Sequence, residues 1–242
     1  MAEHTQLNKP PIEEVVCGFV FASQPVDTMD FGVYWESRRR EFPSHEVQPA
    51  ILDGGAVLQM GALPMRSWLV SNDGSRVLQL QHDRFLMNWK KRDGEYPRFR
   101  DHNNRHGLRS QAIEEFEQFA AWLTQRTGQS VQPSRYELTK VDVLKKGEHY
   151  DNIDQLGELM SVAKVFADIQ VTDPQLLHLR LVETHDQATT NLQIVVNQDR
   201  VRLETRHLFP ANGDMVTAFD TANRRVNDVF FGLLKDLKPF GE

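Results

Sequence analysis

His82, Asp83 and Arg84 place an imidazole, a carboxylate and a guanidinium in succession. An imidazole beside a carboxylate is the composition of a general acid–base pair. The same residues stand between two apolar runs, where Asp is favoured because its side chain bonds the backbone of a turn. The turn reading outweighs the catalytic one. His102 and His106, with Asp101 adjacent, lie four residues apart, the spacing that puts two ligands on one helix face for a metal. Asn103-Asn104 and Gly107 make this segment a loop instead, so no metal site is expected; His102 and His106 are the ligands to test if one exists. Cys17 sits among Val15, Val16, Phe19 and Val20, the setting of a small core residue, not of an exposed thiolate with a base beside it. Gly54-Gly55 lacks the following Lys-Ser/Thr of a phosphate-cradling loop. The neighbouring carboxylates Glu13-Glu14 and Glu114-Glu115 point in divergent directions and read as solvated charges. No catalytic residue and no cofactor is assigned, and the chain leans away from being an enzyme.

The basic positions carry more. Arg38-Arg39-Arg40 form a run; Lys90, Lys91 and Arg92 follow Trp89; Tyr96, Arg98 and Phe99 come next; Arg202, Arg206 and Arg224-Arg225 lie further on. Arginine with aromatic residues suits phosphate or single-stranded nucleic acid. It equally suits a protein-interface hot spot, or a solvated face whose long stems cover apolar surface. Asn88 lies between Met87 and Trp89, and a buried Asn must find partners. In a strand, residues two apart share a face, so Arg84, Leu86, Asn88 and Lys90 stand in one row. That row, with Trp89 and Arg98, is the candidate binding surface.

The elements that position the row are read from periodicity. Arg66 to Lys91 predicts three strands: Asn72-Asp73-Gly74 marks the first turn, and His82-Asp83 the second. Leu78 and Leu80 alternate with Gln79 and Gln81, and Phe85, Met87 and Trp89 with Leu86, Asn88 and Lys90. Both faces are partly apolar, so one should pack on helices and the other meet a second layer, a partner or a ligand. Ile12 to Ala22 predicts a strand, Phe31 to Glu41 a helix capped by Asp30, and His45 to Ile51 a strand. Ile113, Phe116, Ala120 and Leu123 give a helix from Ser110 ended by Gly128. Tyr136 to Leu144 reads as a strand and Leu156 to Met160 as a short helix. Leu177–Glu183, Asn191–Asn197 and Val201–Leu208 form a second meander, followed by a helix capped by Asp214.

The pattern predicts an α+β protein: antiparallel β-meanders with helices packed on one face. Each half, 1–146 and 147–242, runs from meander to aromatic helix, an order that allows a tandem structural duplication, and the two α+β halves are expected to pack as one compact unit. Composition fits a folded chain, with 40% hydrophobic and 26% charged residues. The single cysteine excludes an intrachain disulfide. A net charge of −6 disfavours nucleic acid as a partner and leaves protein favoured, a second copy of the chain included. No signal peptide or apolar membrane span is evident, so cytoplasm is the expected address.

The segments PPIEEVVCGFVF, FGVYWE, SWLVSNDGSRVLQLQHDRFLMNWKK with YPRF, FEQFAAWL, YELTKVDV and FDTANRRVNDVFFGLL resemble a prokaryotic family that is sporadically distributed among bacteria and archaea and has no assigned activity. The patchy distribution implies an accessory role, such as defence or toxin neutralisation. Where that family tends towards Tyr-Val-Asn, this chain has Thr139-Lys140-Val141-Asp142. Three functions follow as expectations. The first is a non-enzymatic interaction module using the sheet row; the second is a phosphate- or nucleic-acid-binding accessory protein. The third is a hydrolase with a site assembled from distant residues such as His82, His102 and His106.

Overall fold

Asp73 shows how the first turn is made. Its carboxylate accepts bonds from the Ser71 hydroxyl (2.6 Å), the Ser75 hydroxyl (2.7 Å) and the Ser75 N–H (3.0 Å), which hold its pKa down at about 2. Gly74 follows at φ 68°, a left-handed conformation that glycine adopts without steric cost. The turn fixes the register of β3 (Met65–Val70) on β4 (Arg76–Gln81), with Val70 opposite Val77 and Trp68 opposite Gln79. His82-Asp83 then joins β4 to β5 (Arg84–Lys90), with Gln81 opposite Arg84. The meander expected from alternation is present.

The computed structural model describes residues 7–51, 65–92, 96–103, 105–160, 177–197 and 199–241. Gly54-Gly55, most of the loop expected over 51–65, Asn104 and Gln198 lie outside them. The remaining strands are β1 (Ile12–Val20), β2 (Ser44–Pro49), β6 (Arg135–Lys145), β7 (Leu177–His185), β8 (Ala188–Val196) and β9 (Arg200–Pro210). They form a nine-stranded antiparallel sheet in the order β2-β3-β4-β5-β1-β6-β9-β8-β7. Among the described residues there are four α-helices: α1 (Thr28–Arg38), α2 (Leu108–Thr127), α3 (Ile153–Leu159) and α4 (Met215–Leu233). The fold is α+β, and no described helix is long and apolar enough to cross a membrane.

Two compact units emerge. Unit I comprises Met1–Val15, Leu138–Phe209 and Thr217–Glu242; unit II comprises Val16–Glu137 and Pro210–Val216. In unit II, α2 buries Ile113, Phe116 and Leu123 of the expected stripe together with Ala112 and Phe119, while Ala120 is only half-buried. Phe116 stacks on Phe19 (4.1 Å between centroids) and Phe119 on Phe85 (4.8 Å). Gly128 ends the helix at φ 73°. In unit I, Leu144, Tyr150, Leu156, Ile194, Val201 and Phe230 share a core, and Phe219 of α4 meets Phe209 edge-on at 5.9 Å.

The first helix starts earlier than expected. Asp27, not Asp30, is the N-cap; it accepts from the Met29 N–H (2.9 Å), while Asp30 reaches back to the Asp27 N–H (3.0 Å). Asp30 is the third residue of a capping box, and a carboxylate there satisfies a second free donor. The helix therefore begins at Thr28 and ends at Arg38, three residues short of Glu41.

Candidate functional site: a polar ribbon on the unit II sheet

Because Phe85 faces α2, alternation sends Arg84, Leu86, Asn88 and Lys90 to the opposite face of β5. The registers bring Gln79 and Gln81 of β4 and Arg66 and Trp68 of β3 onto the same face. The row therefore widens into a ribbon across three strands. Arg84 and Asn88 are buried, at 1% and 2% exposed, and Gln79 is at 3%; Lys90, Arg66 and Trp68 are half-buried.

Arg84 grips Asp83 with a fork, Nε to Oδ1 at 3.1 Å and Nη2 to Oδ2 at 2.9 Å. Its Nη1 lies 3.8 Å from Glu137 Oε2, an ion pair in which both partners are buried. Asp83 also accepts from Gln81 Nε2 at 2.8 Å. Gln81 imitates a peptide group: its Oε1 accepts the Ile51 N–H (2.8 Å) and its Nε2 donates to the Ile51 carbonyl (3.0 Å).

The other end of the ribbon is an amide relay. Gln79 Oε1 accepts from Arg66 Nη1 (2.7 Å) and from the Trp68 indole N–H (3.0 Å), and Gln79 Nε2 donates to Asn88 Oδ1. Asn88 thus has the partner its burial requires. Two cations flank the Trp68 ring, with Lys90 Nζ at 4.1 Å and Arg66 Cζ at 5.3 Å from its centroid. The indole is fixed through its nitrogen while its π faces meet positive charge. Such an arrangement can present a rigid aromatic edge and two cationic groups to a ligand.

The remaining candidates go elsewhere. Trp89 is on the helix side, buried, and meets Tyr96 edge-on at 5.2 Å. Arg98 is exposed, and its carbonyl accepts the Leu108 N–H at 3.0 Å. His82 Nδ1 donates to the Val26 carbonyl (2.6 Å), which fixes its tautomer and ties down the approach to α1, while Asp83 is engaged by Arg84 and Gln81. His102 bridges to Arg105 through backbone, whereas His106 pairs with Glu114 at 2.9 Å. Among the described residues no group of three or more His, Cys, Asp or Glu could hold a metal ion. Cys17 is buried.

Two readings of charge are corrected. Arg38-Arg39-Arg40 is not one basic patch. Arg38 is buried, bonding Glu115 (2.8 and 3.3 Å), Glu41 (3.0 Å) and Tyr34 Oη (3.0 Å), and burial pushes the Tyr34 phenol up to about 12. Arg39 lies over Trp35 at 4.8 Å. Glu115 is accordingly a buried counter-ion, not a solvated charge, because its position on α2 faces Arg38 and Arg76.

Unit I has its own buried pair on β6. Lys140 donates to Asn227 of α4 at 2.7 Å. Asp142, two residues on and on the same face, is fully buried; desolvation raises its carboxyl to about 7 against the pull of Lys140.

Gln79, Gln81, Arg66 and Trp68 were not singled out by residue type. The signal for them was present in the turn lengths, which set Trp68 opposite Gln79 and Gln81 opposite Arg84. No protein-family model, curated protein or solved structure matches the chain.

Proposed function

We propose that the chain is a non-enzymatic interaction module that recognises a protein partner through the accessible end of the unit II ribbon, Arg66, Trp68 and Lys90. The carrying observation is the Trp68 ring flanked by two cations and anchored through Gln79 to buried Asn88. Tryptophan and arginine held rigidly beside a buried support are the composition of an interface hot spot. Preorganisation lowers the entropy cost of binding. Arg84 and Asn88 act from beneath as supports. The resemblance to a sporadically distributed prokaryotic family adds an accessory, defence-associated role to this proposal.

The test is affinity capture with the intact chain as bait, compared with Trp68→Ala and Lys90→Ala baits. One protein is expected to be enriched by the unaltered chain and lost with both variants, with unfolding midpoints little changed. Each variant should weaken the purified complex by about 2 kcal/mol, roughly thirty-fold in Kd. Capture that vanishes after nuclease treatment, with affinity falling steeply with salt, would instead support the nucleic-acid reading. Capture indifferent to both substitutions would remove the ribbon from the function.

A further inference from the structure

The two edges of the sheet are built differently. β2 is six residues long, carries Glu46 and ends in Pro49, which has no N–H to offer. Short length, charge and proline are the devices that stop an edge strand from pairing further. β7, LHLRLVETH, is nine residues long with no proline. Among the described residues its strand neighbour is β8 alone. Every second residue of such a strand turns its N–H and C=O away from the sheet.

Side chains leave this edge open as well. Leu181 and Val182, on opposite faces, are 51% and 56% exposed. The charges beside them, Arg180 and Glu183, are exposed, and each is engaged within the chain. Arg180 Nε donates to Asn191 Oδ1 on β8 at 3.3 Å, and Glu183 pairs with Arg225 of α4. Leu181 and Val182 lie uncovered between two internally paired charges, and among the described residues about 30 Å of strand is offered for pairing.

We infer that β7 pairs antiparallel with β7 of a second copy of this chain, about a two-fold axis at Leu181. In a pair of identical strands the sequence favours one register. A two-fold at Leu181, the strand's centre, pairs all nine residues: Leu181 faces Leu181, Arg180 faces Val182, Leu179 faces Glu183, and His178 faces Thr184. A two-fold at Arg180 or Glu183 sets like charges directly opposite, which is destabilising. One at Val182 leaves Leu177 and His178 without partners in the strand. The pairing joins two sheets edge to edge, and it stands independently of the reading of the ribbon.

Analytical ultracentrifugation of the intact protein at micromolar concentration tests this. The unaltered chain sediments as a dimer. Leu181→Lys, at an exposed position, raises the dimer Kd by about a hundred-fold with an unchanged circular dichroism spectrum. Val47→Lys on the opposite edge leaves the dimer intact. Under mild oxidation Leu181→Cys forms a disulfide-linked dimer faster than Val182→Cys does, because directly opposed residues are closer than diagonal ones. The native cysteine is buried and does not compete. A monomer at all concentrations overturns the proposal. So does a dimer that survives Leu181→Lys, or one that links through Val182→Cys in preference to Leu181→Cys.

Discussion

Both units bury a cation in their sheet, and they solve its cost differently. In unit II the cation is Arg84, whose fork is matched by Asp83 and backed by Glu137. In unit I it is Lys140, which gives a hydrogen to the neutral amide of Asn227 beside a carboxyl, Asp142, that burial pushes up to about 7. The planar guanidinium can satisfy two carboxylates at once, whereas an ammonium is a point charge that leaves a nearby carboxyl free to hold its proton. The unit II arrangement is a fixed support under the ribbon; the unit I arrangement responds to pH near neutrality.

Removing each cation breaks the comparison most directly. Arg84→Met removes the guanidinium that faces buried Glu137, and urea unfolding is expected to show a loss of about 3–5 kcal/mol. Adding Glu137→Met should return part of it. Lys140→Met should cost less at about pH 6, since Asp142 can neutralise itself by keeping a proton, and more towards pH 8. Equal costs at every pH would show that the two units do not differ in this way.

The pH dependence sharpens the contrast and has a definite sign. Asp142 has a folded pKa of about 7, above its ordinary 3.8. Its contribution is therefore fully present below about pH 4 and is lost as pH rises through 7. His207 of β9 goes the other way. Burial, aided by Arg225, lowers its pKa from 6.5 to about 4 although Glu183 opposes the shift. Stability from the neutral imidazole is present above pH 6.5 and is lost as pH falls towards 4. The two slopes oppose each other in one window. Asp142→Asn should leave melting temperature rising between about pH 4 and 6.5, and His207→Asn should leave it falling over the same range. Parallel slopes in the two variants would refute the assignment.

A smaller effect is expected at the amide relay. Gln79→Leu removes the acceptor shared by Arg66 and Trp68 and the bond it donates to Asn88, at a cost of about 1–3 kcal/mol. Quenching of Trp68 emission by iodide should increase as the indole loses its anchor.

The meander was legible because its information is local. Period-two alternation from Trp68 to Lys90, Asp73-Gly74 and a two-residue turn determine strands, register and faces together. The same reasoning puts Arg84, Asn88 and Lys90 in one row. Distant pairings were not legible. Glu115 reads as solvated until the fold brings Arg38 to it across 77 residues. Likewise Lys140 and Asp142 look like ordinary strand charges until α4 covers their face. Asp30 reads as the cap from sequence alone, and the bonds between the two residues put Asp27 there instead. Neither residue type nor period carries that information.

Site-specific photocrosslinking in the host cell tests the proposed recognition surface most directly. A benzophenone amino acid replaces Arg66 at the rim of the ribbon or, as a control, exposed Met29 on α1. The expected result is one discrete protein adduct from position 66, lost when Trp68→Ala is added, with none from position 29. Equal adducts from both positions, or none from position 66, would contradict a partner bound at the end of the ribbon.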